Sequence, residues 1–490
     1  MRLSGFKQKI SEYMLDTSLF RKLYIMVLSF EMLAFFDIIA LSFKSLILCW
    51  GVFILIYKYF KDRSFFEPRH HKILLVFLTL MLATACVHVS VWFVPNLAII
   101  YYTALCFFVF YGMYRSTPHE QAEKEMTFIL KFWVIFGTIC AFLSVICLVF
   151  KSETPILGYY LGIYCDRLIG IYTNSNILAF SMVQTIVACD MLADHYVAAK
   201  PYAFKARRIV LAACVAICCG CLFLSDSNAS FLFLVIYSSI RVFCNLFFKD
   251  HEMKGFKFFK SVLIVMGFCI VVMSASFAGR DFCQHIMSDV VNGVHKQEQM
   301  FKHHHSHIFS NEKIEIEPTQ QDETYVATPI EVVQNFNEPE NFHIGREHYE
   351  VSSGRIMLFK QGLQIFKHHP LMGIGRANLR LYSKKYLKGG LIHPDLHNAY
   401  LTILVSNGII GFAVFVIFGC SVAIDICRHL FRCVGKNYFG LFAKLFSALV
   451  AYCGYCVFEK AILYDMTFMV GFFWLMLGYA MSYVNAKNNS

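Results

Sequence analysis

The sequence predicts an all-α polytopic membrane protein with about twelve membrane-spanning helices and one large outer loop. Three observations predict it. The 490 residues are 58% apolar and only 16% charged, against about 25% charged in an average soluble domain. The apolar residues gather in runs near the ~20 residues that a bilayer crossing requires. Lys and Arg collect in every second short loop. With 51 Phe, 26 Tyr and a mean hydropathy of +0.55, the composition excludes a disordered chain, a disulfide scaffold and most soluble enzymes.

Taken in order, residues 1–22 are polar and amphipathic, with no cleavable signal pattern. They are predicted to be cytoplasmic, and the first span to act as an uncleaved anchor. Cutting the apolar runs at charges, Pro and polar clusters gives spans at 23–42, 45–60, 72–94, 97–114, 128–150, 177–197, 209–225, 229–248 and 259–278. These are helices 1–9 of a segment 23–278. The first two are predicted to meet in a tight hairpin around Lys44. After the outer loop come spans at 398–424, 439–459 and 463–484, within 398–484, and a cytoplasmic tail at 485–490.

With the N-terminus inside, the inner segments hold 21 Lys and Arg. The short outer loops hold only Lys44, Lys151, Arg167 and Lys460. The positive-inside rule therefore puts both termini in the cytoplasm. The net charge of +11 reports this orientation and does not call for a nucleic-acid partner. Most of the 19 Cys lie inside apolar runs, as soft packing residues. Cys453-x-x-Cys456 has no second pair and is read without metal or redox use.

The loop between spans nine and ten has two unlike halves. Residues 281–350 contain 13 acids and 4 bases, so the domain at 279–350 is predicted to be an acidic, flexible insertion. Residues 351–397 contain 1 acid and 8 bases, with helix-like spacing in Ile356, Leu358, Phe359, Leu363 and Phe366. That half is predicted to fold beside the membrane and to carry the chemistry.

It reads Ser353-Gly354-Arg355, then His369-Pro370-Leu371-Met372-Gly373-Ile374-Gly375-Arg376, and ends in His397-Asn398, nine residues and Gly408-x-x-Gly411. Gly373 and Gly375 after Pro370 mark a sharp turn. Gly408 and Gly411 leave a bare stripe where another helix can approach. Before span six stand Arg167-Leu168-x-Gly170 and Asn174-Ser175-Asn176. In this order and topology the set resembles the family of bacterial O-antigen ligases and Wzy-type O-antigen polymerases. One position departs: Ser227-Asn228 stands where that family often has Ser-Arg.

The resemblance implies a GT-C-like helical fold and glycan transfer at the outer face of the bacterial cytoplasmic membrane. A glycan on undecaprenyl diphosphate passes to an acceptor hydroxyl, with inversion. The acceptor is a glycan or a lipid anchor, and other assembly proteins are possible partners. The residues suit this chemistry. A diphosphate leaving group needs fixed cations, and the Arg fork matches phosphate oxygens. Arg167, Arg355 and Arg376 are the candidates, with Arg380, Lys384, Lys385 and Lys388 as a less specific attraction. The hydroxyl needs a base neutral near pH 7, and His397 is assigned that role. Asn176, Asn398, Gly408 and Gly411 are supporting residues. The chain contains no Asp-x-Asp that would hold a metal on the diphosphate, so no metal or cofactor is called for.

Plainer readings stand beside these. His397 alone could cap span ten, and Arg167 and Arg355 could be interfacial side chains reaching for water. Asn176 and Asn398 are residue types that cap helices. His303-His304-His305 and His307 are read as solvated loop. Glu31, Asp37, Asp190, Asp194, Asp425 and Glu459 fall in or near spans, where acids can mark ion paths. Two other functions therefore remain in view: a transporter or flippase of lipid-linked glycan, and a non-catalytic scaffold of the assembly complex.

Overall fold

Long apolar runs without helix breakers leave the backbone one way to satisfy its polar groups inside lipid, which is helix. The computed structural model describes residues 13–61, 69–89, 92–148, 158–195, 201–248, 255–305 and 354–486. The helices are α1 (Thr17–Phe30), α2 (Asp37–Lys61), α3 (His71–Val87) and α4 (Phe93–Leu105), the last continuing as a π-helical turn at Cys106–Tyr111. Then come α5 (Met113–Ser116), α6 (His119–Cys147), α7 (Ser175–His195), α8 (Pro201–Ser225), α9 (Asn228–Phe248) and α10 (Gly255–His305). The segment between α10 and the next long helix contributes α11 (Arg355–His368) and α12 (Leu379–Tyr386). The chain closes with α13 (Ala399–Arg432), α14 (Phe439–Tyr455) and α15 (Phe468–Ala486).

The protein is a multi-pass, predominantly helical membrane protein. Among the described residues nine helices are long and apolar enough to cross a membrane, and α3 and α14 are shorter apolar helices. The fourteen residues of α1 rise only about 21 Å, short of a ~30 Å hydrocarbon core. Among these helices, β1 (Gly162–Tyr164) and β2 (Arg167–Gly170) form one short antiparallel hairpin.

Two predicted boundaries move. No hairpin forms at Lys44, which lies within α2; the chain reverses at residues 31–36 instead. That turn is fixed from outside itself. Ala34 N donates to Ile171 O at 3.0 Å, Thr173 N to Met32 O at 3.1 Å, and Lys44 pairs with Glu31. The helix of the ninth span runs past 278, since α10 continues to His305. Its 51 residues correspond to about 76 Å, more than twice a bilayer core. Hydropathy falls after 278, but residues 279–305 contain no Pro, so nothing stops the helix. Residues 306–353, including His307 and Ser353, lie outside the described residues, as do the side chains of His303, His304 and His305.

The core is knitted by buried polar ties as well as by Phe, Tyr and Trp. Arg21 donates to both oxygens of Glu125 at 2.8 Å, and Tyr479 donates to the same carboxylate at 3.1 Å, joining α1, α6 and α15. Such a pair is tolerated where every polar atom finds a partner. Asp425 meets Arg69 at 3.1 Å, and Asp190 meets Lys444 at 3.4 Å and also Arg241. The intramembrane acids Glu31, Asp190, Asp425 and Glu459 are thus each engaged by a cation.

Candidate functional site

The β1–β2 hairpin sets the first arginine. Cys165 and Asp166, between the strands, both take positive φ, of 49° and 56°. That geometry matches the twist of a two-residue hairpin. Arg167 therefore opens β2, and its guanidinium reaches the connection between α8 and α9. Nε donates to Ser225 O at 2.8 Å, and Nη2 to Asp226 O at 3.3 Å and to Asn176 Oδ1 at 2.9 Å. Asn174 accepts from Asn176 N at 2.7 Å, so the turn that opens α7 is satisfied by Asn174. The side chain of Asn176 orients Arg167.

Arg355 is placed by a different turn. Gly354 takes φ 72°, a left-handed conformation suited to Gly, and α11 starts on the next residue. The Arg355 guanidinium donates to Glu459 Oε1 at 2.8 Å and lies over the Phe458 ring at 5.7 Å. The other oxygen of that carboxylate, Oε2, is 3.1 Å from His397 Nδ1. A carboxylate only accepts, so Nδ1 carries the proton and Nε2 keeps a lone pair. Nε2 faces the His393 ring, 3.0 Å from its Nδ1.

His397 itself has φ 44°. A left-handed non-Gly residue stores about 1–3 kcal/mol of strain and persists where its surroundings dictate it. Here both flanks are pinned. Asn398 caps α13 by accepting from Leu401 N at 2.8 Å, and Ala399 N donates to Cys456 O at 2.9 Å. Asn398 is therefore the N-cap that its residue type suggests, and it fixes the point from which His397 projects.

These residues meet in one cleft of about 310 Å³, lined by Arg167, Asn176, Asp226, Asn228, Gly354, Arg355, Leu358, Ile392, His393 and His397. Of the residues picked from the sequence, Arg167, Arg355, Asn176 and His397 come together there. Arg376 does not join them. It pairs with Asp395, whose second oxygen is 2.7 Å from Lys460 Nζ, and Lys460 also meets Asp465 at 2.6 Å. Burial alone would raise the Asp395 carboxyl, but Arg376 and Lys460 outweigh it and hold it at about 2. Burial, and then the neighbouring His397, push His393 below the usual imidazole range. A larger cavity, of about 570 Å³ between α11 and α12, contains none of the motif residues.

The glycines act differently from the predicted helix–helix stripe. Gly408 breaks α13 with φ 65° and ψ −173°, and the 370–375 loop docks into the break. Ile409 N donates to Pro370 O at 2.8 Å, Gly375 N to Ser406 O at 2.8 Å and Ile374 N to Val405 O at 3.1 Å. A Cβ on Gly408 would run into the Leu371 carbonyl, and one on Gly373 into the 406–408 backbone. The atoms nearest a Cβ built on Gly411 belong to the side chain of Asn407, one turn earlier in α13. A loop, rather than a helix, makes the close approach.

Three contributors escape the motif. Glu459 stands 62 positions from His397 and shows in the sequence only as an acid at a span end. His393 is visible only as a second His four residues before His397. Arg280 meets Asp226 Oδ1 at 2.7 Å and Asn228 Oδ1 at 3.3 Å from α10. Residues 213–416 match the O-antigen ligase family model. The match takes in Arg355, Arg376, His397, Asn398, Gly408 and Gly411, and the family read from the motif is the family found. No curated protein sequence matches the chain.

Proposed function

We propose, from the premise that residues 213–416 form an O-antigen ligase domain, that this chain is a membrane glycosyltransferase of surface polysaccharide assembly. It moves a glycan from undecaprenyl diphosphate to an acceptor hydroxyl at the outer face of the bacterial cytoplasmic membrane, with both termini in the cytoplasm. The observation that carries the reading is the joining of His397, Glu459 and Arg355 in one contact chain beside Arg167.

In this mechanism Arg167 and Arg355 hold the donor diphosphate, whose charge grows as the glycosidic C–O bond breaks. Arg167 is steered by Asn176 and two backbone carbonyls, and Arg355 by Glu459, so both are oriented before the donor arrives. The acceptor oxygen attacks the anomeric carbon from the side opposite the diphosphate, which inverts the centre. Its proton passes to His397 Nε2, and Glu459 stabilises the imidazolium that forms. Undecaprenyl diphosphate departs. The His393 ring lies against Nε2, where the hydroxyl approaches, and must yield or hand on the proton. Arg376 anchors the loop through Asp395 and draws in anions without touching them. The arginines neutralise the leaving group without a metal, in keeping with a chain that lacks Asp-x-Asp.

His397→Ala is expected to abolish transfer while the protein stays inserted and abundant, read from surface glycan in a deletion strain carrying only the variant. Normal glycan there would remove the base assignment. The same strain separates two acceptors: a polymerase defect leaves single repeats on the final carrier, and a ligase defect leaves long chains on undecaprenyl diphosphate. A flippase would move donor across liposomes without covalent transfer. The cation partners of Glu31, Asp190 and Asp425 favour transfer over an ion-coupled path.

A further inference from the structure

The cleft that His397 lines also carries a negative charge in its wall. Asp226 lines it from the tight turn between α8 and α9, with φ 50°, and is 7% exposed. An uncompensated carboxylate there would repel a diphosphate, all the more because a water-poor site screens charge weakly. Two guanidiniums grip this turn from different elements. Arg167 takes the Ser225 and Asp226 carbonyls. Arg280, from α10 and 2% exposed, takes the Asp226 carboxylate at 2.7 Å and the Asn228 side chain at 3.3 Å. Position 228, an asparagine, thus receives a cation from a residue 52 positions away.

We propose that Arg280 is a positioning residue of the donor site. It cancels the charge of Asp226 and fixes the 225–228 turn, so that this wall accepts a lipid diphosphate and keeps Arg167 aimed into the cleft. The role rests on the donor reading above. It differs from a plain tie between α9 and α10, because it depends on the sign of the charge at 226. A tie that only holds helices together gains nothing when Asp226 is neutralised as well.

The test uses the full-length purified protein in nanodiscs, with undecaprenyl diphosphate as the probe and its dissociation constant as the readout. R280Q should weaken binding by about tenfold or more, and R280Q/D226N should restore it to within about threefold of the unaltered protein. D226N alone, which removes the negative charge beside the cleft, should bind more tightly. If R280Q is not recovered folded, D226N decides alone, and weaker binding by D226N overturns the role. Unchanged binding by R280Q, or a double variant as weak as R280Q, also overturns it. An unaltered protein that does not bind the probe overturns the donor reading and this role with it. Binding that R280Q leaves untouched overturns the role only.

Discussion

Glu459 Oε2 lies 3.1 Å from His397 Nδ1, and the other oxygen of the same carboxylate lies 2.8 Å from Arg355. One acid therefore orients both the proposed base and a proposed phosphate ligand, from the end of α14 and across two other elements. The side chains of Arg355, Glu459 and His397 are only 15%, 12% and 22% exposed, so the pairing is poorly screened. Glu459→Gln keeps an acceptor for the Nδ1 proton but removes the charge that favours the imidazolium. Transfer should fall by about a hundredfold or more, with membrane abundance unchanged. A rate within twofold of the unaltered protein would show that His397 does not depend on this carboxylate.

His393 offers a second test. Its ring stands 3.0 Å from His397 Nε2, where the acceptor hydroxyl must approach. If the ring hands on the proton, His393→Ala should slow transfer by about tenfold or more, with membrane abundance unchanged. A rate within twofold of the unaltered protein would place His393 outside the proton path.

Local patterns made part of this site legible. His397-Asn398 and Gly354-Arg355 are short motifs whose backbone needs, a cap and a left-handed turn, are written in neighbouring residues. Glu459 and Arg280 are tertiary partners of such motifs, separated from them by 62 and 52 positions, and one chain carries no mark of that pairing. The Gly408-x-x-Gly411 spacing suggested helix–helix packing because spacing does not reveal φ. The reach of α10 beyond residue 278 is hidden in the sequence for a similar reason. Hydropathy reports lipid contact, and helix can continue past it into water.

Asp395 gives the loop before α13 a pH dependence. Its carboxyl is held at about 2 in the folded protein, against about 3.9 for an unperturbed Asp. A group depressed in this way stabilises the fold fully above about pH 4, and the contribution fades as pH falls through about 2. The shift corresponds to about 2–3 kcal/mol for a carboxylate that is largely buried. Proteolysis of the 369–398 loop should therefore accelerate between about pH 4 and pH 2, followed with an acid protease. Arg376→Gln should bring that acceleration to higher pH while leaving donor binding within about threefold. Tenfold weaker donor binding would return Arg376 to the diphosphate site.

Gly408 lets the 370–375 loop seat directly on the backbone of α13. Its φ of 65° with ψ −173° costs an L-residue about 1–3 kcal/mol, and a Cβ would also collide with the Leu371 carbonyl, which cannot move without losing the hydrogen bond it accepts from Ile410 N. Gly408→Ala should thus unseat residues 370–375. Because Ile374 is fully buried beside Leu396, the segment that carries His397 loosens as well. Transfer should be lost, and the loop should become protease-sensitive at neutral pH. Gly419, also in α13, has nothing within 4 Å of a built Cβ, so Gly419→Ala should match the unaltered protein. Equal behaviour of the two variants in the protease assay would mean that the break at Gly408 does not hold the loop.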